Sequence, residues 1–147
     1  MLSGMAGYSG TPLVKKLGIK ADTHAVAIDI PEDFDHSSLE GADVRTSLRS
    51  KAEIDVAIVF CRTERNMTRA FERIQPRLAP AGALWIAWPK RASSLKTELS
   101  GDIVRTFGLD QGLVDNKVCA IDDTWSGLRF VIRVKDRARY AATRKRS

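Results

Sequence analysis

After Asp55 the chain runs VAIVFC without a polar interruption, and 27 residues further on it does so again in ALWIAW, residues 83–88. A strand facing water on one side alternates apolar and polar residues, so an unbroken run of this length marks a strand covered on both faces. Between the two runs, Thr63 is placed to cap a helix. Its apolar residues Met67, Ala70, Phe71, Ile74 and Leu78 recur at i, i+3, i+4, i+7 and i+11, one face of an α-helix. Pro76 is expected to end that helix, and Pro80 to Gly82 to turn the chain into ALWIAW. Strand, helix and strand in this order define a right-handed crossover between parallel neighbours.

The remaining segments extend the pattern. Thr11 followed by Pro12 reads as an N-cap with proline at the first helical position, closed by Gly18. A first strand is predicted at His24–Ile30, a short one at Asp43–Leu48 and a helix at Thr97–Phe107, with Leu99, Ile103 and Phe107 inward and Gly108 as its stop. GLVDNKVCAID and TWSGLRFVIRV read as two strands joined tightly through Asp122 to Thr124. In the second, Leu128, Phe130, Ile132 and Val134 alternate with Arg129, Val131, Arg133 and Lys135. The fold class is therefore α/β, a three-layer Rossmann-like sandwich whose mostly parallel sheet ends in an antiparallel hairpin.

With 147 residues, 44% of them hydrophobic, the chain has material for one core, and residues 1–134 are expected to form a single domain. Its net charge of +6 is concentrated at the end: KDRARYAATRKRS, residues 135–147, holds six basic residues against one acid. A duplex-binding domain spreads its basic residues over a folded face. The stretch is therefore expected to be a flexible, solubilising tail, with salt-sensitive binding of nucleic acid through it as the alternative. No run approaches the roughly 18 apolar residues of a membrane span, and MLSGMAGYSG lacks the basic head and apolar stretch of a secretory signal, so a cytoplasmic location is expected. Cys61 and Cys119 lie far apart in apolar runs with no CxxC, and are expected to be reduced, buried thiols without a metal.

Three stretches carry a likeness to known proteins. GYSGTPLVKKLGIK, LWIAWPKRASSLKTELS and GLVDNKVCAIDDTWSGLRFVIR resemble a family of small bacterial proteins filed as a domain of unknown function, from about Gly7 to Arg133. That likeness implies a bacterial source and brings no activity, cofactor or catalytic residue with it. LAPAGALWIAW is also similar to the proline-glycine turn and strand in the latter half of class I methyltransferases, whose sheets finish in an antiparallel hairpin.

In an open parallel sheet, ligands bind beyond the carboxyl ends of the strands. A helix entering the first strand runs opposite to it, so its amino end lies at the same edge. The predicted rim is Tyr8, Ser9, Gly10 and Thr11, then Asp29, Arg62, Trp88, Lys90 and Ser93, and the hairpin from Asp122 to Ser126. Within it, Tyr8, Ser9 and Thr11 offer hydroxyls and helix-terminal N–H groups to an anion, with Lys90 or Arg91 opposite. Trp88 and Trp125 are candidates for an aromatic wall. The bland alternatives are a plain helix cap and two tryptophans that cover the sheet end.

The reactive groups of the usual α/β enzymes are missing. No glycine occurs between Gly18 and Gly41, and SLRS stands where an acid would hold ribose hydroxyls, which disfavours adenosylmethionine and NAD. There is no GxxxxGK[ST], and no GxSxG to accompany Ser93 or Ser126. His24 reads as a structural residue and His36 as a lone residue in a polar turn. Asp122 and Asp123 read as turn formers rather than metal ligands. No cofactor and no metal are expected. The first functional expectation is a non-catalytic methyltransferase-like domain that binds a small anionic ligand or a protein partner at the carboxyl edge. A divergent transferase lacking the glycine-rich loop, or a nucleic-acid-associated protein acting through its tail, are the alternatives.

Overall fold

The computed structural model describes residues 11–146. Among them, six strands form one sheet: β1 (Ala25–Ile28), β2 (Val44–Arg45), β3 (Ile54–Phe60), β4 (Leu78–Pro89), β5 (Leu113–Ala120) and β6 (Trp125–Ile132), in the spatial order β2-β1-β3-β4-β6-β5. β2, β1, β3 and β4 are parallel, whereas β6 runs antiparallel to both β4 and β5. The predicted Rossmann-like sandwich is thus the observed one.

Alternation along the strands sends residues to two cores. Val26, Ile28, Ala57, Val59, Leu84, Ile86, Trp88, Leu128, Phe130 and Ile132 pack under α2 (Glu64–Ile74), α3 (Gly101–Asp110) and α4 (Arg137–Arg146). Ala25, Ala27, Val56, Ile58, Phe60, Trp85, Ala87 and Trp125 face α1 (Leu13–Leu17) and the segment around Phe34. Alanines on the α1 face leave room for Trp85, which is fully buried and donates its indole N–H to the Leu17 carbonyl at 3.1 Å. One bond thereby satisfies the polar atom of the largest core side chain and ties α1 to the middle of the sheet.

Local chemistry explains most boundaries. Thr63 caps α2, its Oγ1 accepting from the Asn66 N–H at 3.0 Å, and the helix gives way to a 3₁₀ turn at Gln75–Arg77 where Pro76 removes a donor. Leu78 is not the last residue of that helix face but the first of β4. The turn expected at Pro80–Gly82 is absorbed as an irregularity in β4, because Ile54 pairs with Leu78 and Val56 already with Ala83. Gly18 closes α1 in the left-handed conformation as predicted, but Pro12 and not Thr11 occupies the cap position, and proline offers no side-chain acceptor.

α3 starts later than its sequence suggests, after Ser100, whose hydroxyl accepts from the Ile103 N–H at 3.3 Å. The shift rotates the helix: Val104 is fully buried, while Ile103 is 38% exposed. Gly108 lies inside the helix rather than at its end, because the ring of Phe130 occupies the space a side chain would take. The left-handed turn comes at Gly112 instead. Val134–Asp136 form a 3₁₀ turn and Arg137–Arg146 form α4, and Tyr140 lies against the helix-covered core with its hydroxyl accepting from Gln75 Nε2 at 3.0 Å. No helix among the described residues is long and apolar enough to cross a membrane.

Candidate functional site

The sheet order locates the place where a ligand can enter. From β1 the chain leaves toward β2, and from β3 it leaves through α2 in the opposite direction, toward β4. Connections that diverge from adjacent parallel strands leave a crevice between their carboxyl ends. Here a cleft of about 670 Å³ opens at that point, within the range of small-molecule sites.

Its floor straddles the end of the sheet. Ile28, Val59, Ala70 and Ile74 come from the helix-covered face, and Phe60, Leu95 and Trp125 from the α1 face. Phe34, Phe60 and Trp125 form a chain of edge-on aromatic contacts, each 5.2 Å between centroids, which holds the floor in place. One wall is acidic, with Asp29, Glu32 and Asp33 on the chain leaving β1. The other, with Asn66, Arg69 and Arg73, belongs to α2, and Arg62 follows β3. Among the described residues, no ion pair joins the two walls, and the side chains of Asp29, Glu32, Asp33, Arg69 and Arg73 make no hydrogen bond to one another or to other groups.

Asp29 has φ 58, a left-handed conformation in which a non-glycine residue is uncommon but which aspartate tolerates better than most. The backbone therefore makes, without a glycine, the sharp turn that puts a carboxylate at the crevice mouth. Cys61, which follows the neighbouring strand β3, is fully buried on the helix-covered face. Burial, with a smaller push from the Asp29 charge, moves its thiol up to about 12, so it stays protonated at neutral pH.

The segment between β4 and α3 crosses the same edge and is fastened to Arg62. The Arg62 carbonyl accepts from the Glu98 N–H at 2.9 Å and from Thr97 Oγ1 at 2.8 Å, and Arg62 Nε donates to the Lys96 carbonyl at 2.9 Å. Glu98 returns a carboxylate oxygen to the Glu64 N–H at 2.9 Å, filling the amino end of α2. A second hollow of about 390 Å³ lies beyond this strap, lined by Trp88, Lys90, Arg91, Leu95, Thr97 and Ser100.

The residues singled out in the sequence are spread over both hollows. Tyr8, Ser9 and Gly10 lie outside the described residues, and Thr11 lines neither hollow. Asp29, Arg62 and Trp125 meet at the main cleft, and Trp88 and Lys90 at the second. Trp88 and Trp125 do not form a common wall: each is buried, on opposite faces of the sheet, because they sit one register step apart on neighbouring strands. Ser93 Oγ donates to the Lys90 carbonyl at 2.9 Å and closes a turn. Asp122 is a turn former, its carboxylate accepting from the N–H groups of Thr124 and Trp125 at 2.8 and 2.7 Å. His24 is structural, its N–H donating to Asp55 Oδ2 at 2.8 Å and its ring bonded to the Glu53 carbonyl. Cys119 is half-buried rather than buried. Sequence reasoning missed Arg69 and Arg73, whose signal is the spacing of Asn66, Arg69 and Arg73 at i, i+3 and i+7, a polar stripe bordering the apolar face of α2.

Solved structures share this architecture. A SAM-dependent methyltransferase from Aquifex aeolicus is 15% identical and superposes with a TM-score of 0.50 over 80% of this chain and 86% of that one. LepI in complex with SAM is 12% identical with a TM-score of 0.46, over 84% of this chain and 47% of that one. The magnesium protoporphyrin IX methyltransferase ChlM from Synechocystis PCC 6803 is 13% identical with a TM-score of 0.40, over 82% and 74%. No protein-family model and no curated protein sequence matches the chain. At such identities the Aquifex aeolicus likeness establishes the fold alone: this is a methyltransferase-like Rossmann domain.

Proposed function

We propose that the chain is a non-catalytic member of the methyltransferase-like fold, of the small bacterial type its GYSGTPL and LWIAWPK motifs resemble, which binds a small anionic ligand in the cleft between the ends of β1 and β3. The observation that carries this reading is the cleft itself, placed at the switch point and lined by charged side chains of which Asp29, Glu32, Asp33, Arg69 and Arg73 make no ion pair or hydrogen bond among the described residues. Lys90, beside Trp88, adds positive charge at the neighbouring hollow on the same edge.

The solved neighbours include proteins bound to SAM, and the residues here do not fit that ligand. The turn after β1 is made by Asp29, whose side chain occupies the approach that a glycine would leave open. Leu48 lines the cleft on the side of β2, where a SAM-binding domain carries the acid for its ribose, and the carboxylates of this cleft lie instead on the chain that follows β1. The thiol nearest the cleft is buried and protonated, which leaves it without nucleophilic character at neutral pH. These features support binding without methyl transfer.

The test is calorimetry on the full chain with a panel of anionic metabolites and adenosylmethionine, repeated on Asn66→Trp, which fills the cleft from a half-buried position on α2. A ligand from the panel bound by the wild type and lost in Asn66→Trp is the expected result. Adenosylmethionine bound more tightly than any anion in the panel, and released by Asn66→Trp, would instead establish the divergent transferase.

A further inference from the structure

Resting on that placement of the ligand, the geometry points to a nucleoside monophosphate, its phosphate on Arg69 and Arg73 of α2 and its sugar and base toward the carboxylates that follow β1. Arg69 and Arg73 are four residues apart, so their stems lie about 6 Å apart along the helix and on the same side of it. Like charges at this spacing repel one another, and acids that could neutralise them line the same cleft without reaching them. An anion placed between the two guanidinium forks removes the repulsion.

The number of oxygens decides which anion. A carboxylate presents two oxygens and satisfies one fork, whereas a phosphate monoester presents three acceptor oxygens and nearly two charges, enough for both. A phosphate alone leaves most of a 670 Å³ cleft unfilled. The remaining space has an apolar floor that includes Phe60, Ile74 and Leu95, suited to a flat ring, and an acidic wall of Asp29, Glu32 and Asp33. Carboxylates are acceptors only, so they select the other end of the ligand for donors: sugar hydroxyls and ring amino groups. A nucleoside monophosphate combines an anionic head, a flat apolar body and donors at the far side.

Binding of AMP and GMP to the full chain, measured by calorimetry alongside adenosine and inorganic phosphate, tests this directly. AMP or GMP is expected to bind at least tenfold more tightly than adenosine or phosphate alone. Arg69→Ala and Arg73→Ala should each lower nucleotide affinity at least tenfold and leave adenosine unchanged, while Asp29→Asn should weaken nucleotide and adenosine by the same factor. Circular dichroism melts of each variant establish that it is folded. Equal affinity for AMP and adenosine, indifference to the arginine substitutions, or no binding of either nucleotide overturns the inference. If nucleotides fail but another anion binds and is lost in Asn66→Trp, the cleft stands as the site and only the ligand class is wrong. Nucleotide binding that survives Asn66→Trp would place the ligand elsewhere and remove both readings.

Discussion

From β3 to β5 the strands are seven, twelve, eight and eight residues long, and α2 and α3 supply the helical connections. At the other side of the sheet β1 has four residues and β2 two, and the chain between β1 and β3 contains no α-helix. The first region is held by interdigitated apolar side chains. In the second only β1 is fully buried, and the chain beyond it relies on individual polar contacts: Arg77 donates to the carbonyls of Leu48 at 3.0 Å and Ala52 at 3.5 Å and also to that of Ser50, pinning the segment that leads from β2 into β3. The cleft lies at the boundary, where a helix that would otherwise follow β1 leaves space.

If that contrast is right, substitutions in the two regions should differ in kind as well as in size. The largest effect is expected for Trp85→Ala, which removes a fully buried indole from the long-stranded region and leaves the Leu17 carbonyl unpaired, a global loss of about 3–5 kcal/mol in denaturant unfolding. Next comes Gly108→Ala, where a methyl group must displace the Phe130 ring. A global cost of about 1–3 kcal/mol is expected, although alanine is the better helix former by about 1 kcal/mol. Arg77→Ala should cost about 1–2 kcal/mol. Its signature should be local, with hydrogen exchange accelerated over residues 46–53 and little changed in β4 and β6. Uniform acceleration across the sheet would erase the distinction between the regions.

At neutral pH the smallest effect sits at the boundary, because it emerges only in alkali. Cys61 titrates at about 12 in the folded protein, against an ordinary 9.0. Below about 9 the thiol is protonated whether or not the chain is folded, so it adds no pH dependence. Between about 9 and 12 the unfolded chain loses the proton first, and stability falls as pH rises, by at most about 1.4 kcal/mol per unit. Cys61→Ala should flatten this alkaline limb relative to wild type, and identical slopes in urea titrations would show that Cys61 is not shielded.

The region that packs by shape was also the one most legible in the sequence. VAIVFC and ALWIAW announce two-sided strands because burial on both faces admits no other residue types, and Thr63 announces α2 because a helix start needs an acceptor. α3 was misplaced because Leu99 and Ser100 are respectively a buried loop residue and a cap, and only contact with Phe130 explains a glycine at position 108. The edge of the site followed from topology, and Asp29, Arg62 and Trp125 with it. Arg69 and Arg73 did not, since an arginine beside an apolar helix face reads the same whether it meets solvent or a cleft. The register that sets which face a tryptophan occupies is a property of strand pairing, so Trp88 and Trp125 could not be separated beforehand.

β6, the last strand in the chain, fills the slot between β4 and β5. As a ribosome delivers the polypeptide, β5 emerges before the strand it pairs with, joined to what precedes it only through α3, where Arg105 Nε donates to Asp115 Oδ2 at 3.0 Å, and β4 must wait with one side of its backbone bare. Completion of the sheet is thus deferred until Ile132 is free of the exit tunnel, and until then the edge of β4 is open to pairing with another chain.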